Sequence, residues 1–344
     1  MIAWIWNVAR AVRESKKIEE YRVVERLLAM ELLQVTEEGA LGAARLMGQG
    51  DNNRADQAAV EAMRKCLERI DVNGTIVIGE GERDEAPMLF IGERVGSGRG
   101  PDVDIAVDPV EGTNLVARGM PNALAVMAAS TRGGLLHAPD TYMDKLIVGP
   151  PAVGKVSIDY PVRANLQIIA DSLNRRTEDL TVVILDRPRH APLIDDVRNS
   201  GARIQLISDG DISAALSVAV SGTGVHAVMG VGGAPEGVLA ATALRCLGGA
   251  IYGRFKPRND DEARRAESMG IDLSKVYTTE DLASGDDLIF VATGITDGEL
   301  FKGVHFFGGG ARTHSLVMTY RTGTIRFVDT VHIVERRSVG VVRL

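Results

Sequence analysis

Between residues 180 and 247 the chain alternates short apolar runs with amphipathic stretches, and this alternation constrains the fold more than any other feature. Three apolar runs predict strands over 180–185, 203–207 and 225–229. The segments that follow them have helical spacing of apolar residues and predict helices over 190–199, 211–220 and 234–247. Strands that alternate with helices are typical of a layered α/β fold in which loops at the strand ends carry functional side chains.

The rest of the chain has a helical start and a strand-rich remainder. Helical spacing predicts one helix to about residue 45 and a second over 54–69. Strands are predicted over 75–79, 103–107, 122–130, 135–138, 288–292, 316–319 and 325–334. We therefore expect a helical extension over 1–27 and two lobes over 28–160 and 161–344. The extension is open to three interpretations, which are an exposed arm, an oligomer contact, and translation from an upstream start, since Met30 is also available.

Composition narrows the class of protein. The 344 residues are 45% apolar, which is enough to bury the core of one large domain or two ordinary ones. The net charge of −7 argues against a nucleic-acid partner, because binding to phosphate backbones needs clustered Lys and Arg. No apolar run approaches the roughly 18–20 residues of a membrane span, and Cys66 and Cys246 match neither zinc nor disulfide spacing. We expect a cytoplasmic protein with buried thiols and no membrane partner.

The strongest chemical signal is the sequence Asp-Pro-Val-Glu-Gly-Thr at 108–113, which directly follows a predicted strand. A turn there can point Asp108, Glu111 and the Val110 carbonyl toward one small volume. Carboxylates held that closely repel each other unless a cation lies between them, and oxygen ligands favour Mg²⁺ or Mn²⁺ over zinc. Thr113 would begin a helix, where backbone N–H groups favour an anion. The alternative is a helix-capping Asp and a solvated Glu.

A second group of carboxylates follows the predicted 75–79 strand. Glu80 lies between two glycines, which let the backbone approach a ligand closely, and we expect it to be a ligand. Its neighbours Glu82, Asp84 and Glu85 are expected mostly to support the ligands or to face solvent.

A third carboxylate lies in the glycine-rich segment at 230–237. The segment begins like a dinucleotide-binding loop, but Pro235 occupies the position of the third glycine. Glu236 would also place negative charge where a pyrophosphate must bind. A plain dinucleotide site is therefore disfavoured, and a metal ion would explain a glutamate at this helix start.

Other polar groups follow the strands of the 180–247 region. The Arg-Pro-Arg-His segment at 187–190 has two forked donors suited to a phosphate, although a surface pair at a helix start is an equal alternative. Its histidine, His190, is expected to cap a helix or face solvent. Asp209 and Asp211 could accept from sugar hydroxyls, or Asp211 could only cap a helix. Tyr142 is expected in a loop from which its hydroxyl could reach a ligand.

Together these motifs resemble one known family. The 108–113 segment resembles the signature of the lithium-sensitive, metal-dependent sugar phosphatases. Its combination with the motifs at 78–89, 187–190, 209–211 and 232–237 is similar to the class II fructose-1,6-bisphosphatases of the bacterial GlpX type. The resemblance covers about residues 28–333 and leaves the N-terminal extension outside it.

The resemblance implies a layered α/β/α/β/α sugar-phosphatase fold, with metal bound by the first lobe and substrate by the second. It implies two or three Mg²⁺ or Mn²⁺ ions and five ligands, Asp56, Glu80, Asp108, Glu111 and Glu236. The implied substrate-binding residues are Glu111, Gly112, Thr113, Tyr142, Arg187, Pro188, Arg189, Asp209, Gly210, Asp211 and Gly233. Some members of the family have Lys where this chain has Arg187.

The implied reaction is hydrolysis of the 1-phosphate of fructose 1,6-bisphosphate, in gluconeogenesis or a Calvin-cycle type of metabolism. Metal ions would activate a water that Thr113 orients or helps to deprotonate, with Glu80 or Asp84 accepting the proton. Sedoheptulose 1,7-bisphosphate is a further candidate substrate, and a homodimer or homotetramer is expected. The alternatives are an inositol-monophosphatase-like enzyme of the same superfamily, and a non-catalytic sugar-phosphate sensor or nucleotide-binding module.

Overall fold

The structure is a computed structural model that describes residues 24–81 and 88–333. The helices α1 to α9 span 24–44, Asn52–Leu67, Thr113–Arg118, Val162–Ser172, Ala191–Asn199, Asp211–Ala219, Ala234–Leu247, Asp260–Ser268 and Thr279–Leu282. The strands β1 to β13 span Asn73–Ile78, Arg94–Val95, Asp102–Glu111, Leu124–Thr131, Tyr142–Val148, Thr181–Leu185, Arg203–Ile207, Ala227–Gly233, Ala250–Phe255, Ile289–Gly294, His305–Phe307, Gly310–Thr319 and Thr324–Ile333. The predicted alternation of strands and helices over 180–247 is confirmed.

The strands form two mixed sheets. The first sheet has the order β11-β12-β10-β4-β3-β1-β2, with β13 paired to β12, and its β1–β3 pair is parallel. The second sheet has the order β7-β6-β8-β5-β9, in which β6 runs parallel to both β7 and β8. Strand β5 joins the second sheet antiparallel to β8 and β9.

Alternating side chains of the first sheet enter two different cores, because successive residues of a strand point to opposite faces. Ile105 and Met127 are fully buried in a core with apolar side chains of α1 and α2. Their neighbours Ala106 and Ala128 lie in another core with α6 and α7. The first sheet is therefore covered by helices on both faces.

The second sheet is covered in the same way. Ile147 and Val183 share the core of α6 and α7, whereas Leu146 and Val182 pack in a third core with α4 and α5. The order across the molecule is α1 and α2, the first sheet, α6 and α7, the second sheet, and α4 and α5. This arrangement confirms the expected α/β/α/β/α layering.

The middle helices are apolar around most of their circumference because a sheet covers each side. In α6, eight of its nine residues are buried. Helix α7 carries Gly237 and four alanines, including the one at its first position, which lets both sheets approach closely. Within the described ranges, no helix is both long enough and apolar enough to cross a membrane.

The two sheets do not follow the chain in two consecutive blocks. Strand β5 comes before residue 160 but lies in the second sheet, and β10 to β13 come after it but return to the first sheet. The division into lobes at 160 and 161 stays a prediction. Residues 1–23 of the predicted extension lie outside the described residues.

Two local predictions were wrong. Residues 135–138 form no strand, because the Leu136 N–H donates to the carbonyl of Leu282, the last residue of α9, rather than to a neighbouring strand. Tyr142 begins β5 and does not lie in a loop.

Candidate active site

The Asp-Pro-Val-Glu segment lies on β3 itself and not on a turn after it, which corrects the predicted turn. Asp108 pairs with Val126 of β4 and Glu111 pairs with Leu124, so β3 has one extra residue between the two pairs. This is a β-bulge, and Pro109 fits there because proline has no N–H to donate to the ladder. A bulge re-aims side chains, and both carboxylates consequently line the same cavity.

Two adjoining cavities open at the end of β3. The carboxylate cavity has a volume of about 340 Å³, and its lining includes Asp56, Glu80, Asp108, Thr113 and Glu236. The arginine cavity has a volume of about 290 Å³, and its lining includes Glu111, Gly112, Tyr142, Arg187, Arg189, Asp209, Gly210, Asp211 and Gly233. Asp108, Thr113 and Glu236 line both. The structure thus brings together the predicted site residues that it describes, apart from Pro188.

Burial is the largest cause of the raised pKa values of the carboxyl groups that line the two cavities. It raises the pKa of Glu80 to about 9, that of Glu236 to about 7 and that of Asp108 to about 6, and nearby carboxylates add to each shift. The pKa of Glu111 is raised well above its ordinary value by burial and by Asp211. Several buried carboxyl groups that resist ionisation together are typical of a site that holds a cation or performs proton transfer.

Asp56 and Glu80 reach the carboxylate cavity from different elements and share a hydrogen bond between their carboxyl groups. Asp56 lies on α2, and Glu80 follows β1 at a close approach of two backbones. A Cβ at Gly79 would lie 1.9 Å from the carbonyl oxygen of Leu89, so glycine is required there. Asp84, the other predicted proton acceptor, lies outside the described residues with Glu82 and Glu85.

Glu236 lies in the first turn of α7, where the helix dipole favours negative charge. Its Oε2 atom is buried and has no hydrogen-bond partner. A buried carboxylate oxygen without a partner is costly, and a cation would satisfy it. The side chain fits only because Gly233 has no Cβ, which would lie 1.9 Å from Oε2.

The donor set of the carboxylate cavity fits a hard divalent cation, since it consists of carboxylate oxygens. Among the described residues, no three His, Cys, Asp or Glu side chains already lie close enough to enclose an ion. Hydrogen bonds between carboxyl groups join Asp56 to Glu80 and Asp108 to Glu111.

The two arginines of the arginine cavity are held by acceptors beneath them. Arg187 donates to Asp209 Oδ1 at 3.2 Å. Arg189 donates from Nε and Nη2 to the carbonyl of Val231 at 3.2 and 2.7 Å, and its guanidinium lies 4.6 Å from the centre of the Tyr142 ring. Both forks are therefore oriented before any ligand binds.

His190 was expected to cap a helix or face solvent, and the structure corrects this because its side chain is buried. Its Nε2 accepts from the Val231 N–H at 2.8 Å, so its Nδ1 donates to the carbonyl of Leu185, 2.6 Å away. Burial lowers its pKa, which favours the neutral ring that both bonds require. Pro188 begins the short helical turn between Arg187 and His190.

Thr113 is the first residue of α3 and follows a glycine in the left-handed region. Gly112 has φ 91°, and a Cβ there would lie 2.7 Å from Leu115 Cδ1. Glu111 Oε1 accepts from the Ile212 N–H at 2.9 Å, at a helix start where N–H groups lack intrahelical partners. The bulged strand is thereby joined to α6.

Sequence reasoning missed Lys145, which lies in the middle of β5 with its side chain 4% exposed. Its ammonium donates to Asp211 Oδ2 at 2.5 Å and to the Gly233 carbonyl at 3.0 Å. Asp211 therefore pairs with this lysine, and Gly210 is the residue at the N-cap of α6. Burial alone would lower the pKa of Lys145, but Asp211 and Glu236 raise it above its usual value. The available signal was a lysine inside the apolar run at 142–148.

Comparisons with known proteins agree with one another. A family model described as bacterial fructose-1,6-bisphosphatase, glpX-encoded, matches residues 26–332. A protein of Synechococcus sp. (strain JA-3-3Ab), named D-fructose 1,6-bisphosphatase class 2/sedoheptulose 1,7-bisphosphatase, is 54% identical over 334 residues, covering 90% of this chain and 96% of that protein. A protein of the same name from Gloeobacter violaceus (strain ATCC 29082 / PCC 7421) is 50% identical over 337 residues, covering 91% and 97%.

Proposed function

The chain belongs to the bacterial glpX-encoded fructose-1,6-bisphosphatase family, and on that premise we propose that it hydrolyses the 1-phosphate of fructose 1,6-bisphosphate to fructose 6-phosphate and phosphate. The observation that carries the proposal is the junction of the two cavities, where Asp108, Thr113 and Glu236 line both. A phosphate ester at this junction would have carboxylates on one side and two guanidinium groups on the other. The family predicted from the motifs is confirmed.

The carboxylate cavity and its junction with the arginine cavity form the proposed cation site, with ligands Asp56, Glu80, Asp108, Glu111 and Glu236. Mg²⁺ or Mn²⁺, two or three ions per site, would supply the charge that lowers the pKa of a water and neutralises the phosphoryl oxygens. The buried, unpartnered Glu236 Oε2 supports this assignment. Glu111 would need to divide its two oxygens between the cavity and the Ile212 N–H that it already accepts from.

The arginine cavity is proposed to hold the phosphate that does not react. Arg187 and Arg189 would donate to its oxygens, and Tyr142 would add a hydroxyl. Because Asp209 and the Val231 carbonyl already orient the two forks, little conformational entropy is lost on binding. Binding energy at this remote phosphate would position the scissile one for attack.

Thr113 is the proposed residue for orienting the attacking water or helping to deprotonate it. It lines both cavities, so it lies where the carboxylates and the arginines meet. Glu80 or Asp84 is the proposed acceptor of the proton. Glu80 lines the carboxylate cavity together with Thr113, which supports this role.

The finer points of the proposal follow from the relatives and the motifs. Sedoheptulose 1,7-bisphosphate is a second proposed substrate, since the names of the relatives that are 50% and 54% identical include both activities. We further propose a cytoplasmic homodimer or homotetramer that acts in gluconeogenesis or a Calvin-cycle type of sugar phosphate metabolism.

The proposal is tested by phosphate release from fructose 1,6-bisphosphate, sedoheptulose 1,7-bisphosphate and an inositol monophosphate, each with Mg²⁺, with Mn²⁺ and with chelator. We expect metal-dependent release from fructose 1,6-bisphosphate that the chelator abolishes. Release from the inositol monophosphate alone would favour the inositol-monophosphatase-like alternative. No release from any ester would favour the sensor and would overturn the proposal.

A further inference from the structure

We propose that Lys145 is a positioning residue for substrate binding, which fixes Asp211 and Gly233 in the wall of the arginine cavity. The inference rests on the proposed function, since it concerns how that cavity binds a sugar bisphosphate. Both partners of the lysine line the cavity, but they come from different parts of the chain. Asp211 begins α6 after β7, and Gly233 ends β8 before α7.

The contacts make Lys145 a bridge between these segments. From the middle of β5, its Nζ atom reaches Asp211 Oδ2 at 2.5 Å and the Gly233 carbonyl oxygen at 3.0 Å. The ion pair is buried, with side-chain exposures of 4% for Lys145 and 10% for Asp211. One ammonium group therefore sets the spacing of two cavity-lining positions 22 residues apart in sequence, as their numbers show.

The backbone beside the pair has room only for glycine at position 232. A Cβ added to Gly232 would lie 2.7 Å from Asp211 Oδ2 and 2.8 Å from Lys145 Nζ. The glycine is thus in close contact with both charged groups, and the pair is packed tightly beneath β8. Groups packed this closely hold one arrangement, which is what a precise binding wall requires.

The positive charge of Lys145 also favours the binding of an anionic substrate. Its ammonium is attracted by Asp211, Glu236 and Glu111, which lie around the same cavity. Neutralising Asp211 from below reduces the repulsion that a sugar phosphate would meet at this wall. The lysine acts on substrate through Asp211 and the backbone, so the effect of removing it should appear first in KM.

The test compares Lys145→Met, Asp211→Asn and the double variant with the wild-type enzyme, and uses the exposed Lys155→Met as the matched control. Phosphate release from fructose 1,6-bisphosphate gives kcat and KM, and thermal melting checks the fold. We expect Lys145→Met to raise KM at least about tenfold while kcat changes less than about threefold. The control should match the wild type.

The double variant decides how Lys145 acts. If it acts through Asp211, the two substitutions are not additive, and the rise in KM of the double variant is smaller than the product of the two single effects. Multiplied effects, or an unchanged KM in Lys145→Met, would overturn the proposal. If Lys145→Met fails to fold, the double variant still tests the proposal because it removes both charges of the pair, and a wild-type KM in the double variant would overturn it. An inactive wild-type enzyme would instead refute the proposed function.

Discussion

Replacing Gly233 with alanine should move one carboxylate and leave the backbone in place. Gly233 has φ −69° and ψ 145°, which alanine adopts without strain. The new Cβ, however, would lie 1.9 Å from Glu236 Oε2 and 2.6 Å from Glu236 Cδ. Because Cβ contacts below 3.0 Å essentially do not occur, the carboxyl group must move by at least about 1.1 Å.

A shift of that size exceeds what a cation site tolerates. Metal–ligand distances are typically kept within about 0.2 Å, and a misplacement of about 1 Å costs roughly 10²-fold in rate. We therefore expect Gly233→Ala to lower kcat/KM about 100-fold, which corresponds to about 2.7 kcal/mol of transition-state stabilisation. The melting temperature should change little, since only the end of a flexible side chain is displaced.

The assay is metal-dependent phosphate release from fructose 1,6-bisphosphate, measured beside a thermal melt. Gly308→Ala is the control, because its Cβ would meet no atom within 4 Å, and it should match the wild type in both measurements. A Gly233→Ala enzyme within threefold of the wild-type kcat/KM would refute the reasoning that the position of Glu236 controls the reaction. A large loss of melting temperature would show instead that the Gly233 backbone is constrained.

Three further predictions concern the same chain. Asp108→Asn or Thr113→Ala should remove most turnover while the melting transition persists, and wild-type phosphate release by either variant would contradict the assigned roles. Burial raises the pKa of the Cys66 thiol to about 11, so maleimide at pH 8 should label it slowly in the native protein and rapidly in denaturant. Peptide mass spectrometry measures both labelling rates, and equal rates would show that the thiol is accessible in the native protein. Burial also raises the folded-state pKa of Glu80 to about 9 and of Glu236 to about 7, from 4.5. The two protonated carboxyl groups therefore stabilise the folded protein fully below pH 4.5. The contribution of Glu236 is lost as pH rises through about 7, and that of Glu80 as pH rises through about 9. While a group keeps its proton only in the folded state, the free energy of unfolding falls by up to about 1.4 kcal/mol per pH unit. Melting with chelator should show this fall between pH 6 and 9, Mg²⁺ should reduce it, and a flat profile with chelator would contradict it.

The layered fold could be predicted because its strands and helices are periodic over short stretches of sequence. The alternation over 180–247 is of this kind, and the structure reproduces it. Strand β5 was missed because Asp144 and Lys145 interrupt its apolar run. The lysine is buried there only because Asp211, far along the chain, supplies the opposite charge. A contact over that distance leaves no local pattern to read.

The candidate site also contains residues that could be predicted from local sequence and residues that could not. Asp108, Glu111 and Glu80 could be singled out because each lies next to a predicted strand end. Asp56 does not lie next to a predicted strand end, and a carboxylate on a helix face is usually solvated. Only the family resemblance indicated that Asp56 is a ligand. The β-bulge at Pro109 depends on the pairing of β3 with β4, which residue spacing alone does not specify.

The negative net charge and the proposed phosphate substrate are reconciled by where the carboxylates lie. Glu80, Asp108, Glu111 and Glu236 line the two adjoining cavities, and burial is the largest cause that raises the pKa of each. A phosphate ester brought alone to the junction of these cavities would add charge of the same sign. Cations and substrate must therefore favour each other's binding, because each lowers the electrostatic cost of the other. By linkage the coupling is reciprocal, so a substrate phosphate tightens cation binding by the same factor that the cations tighten its own.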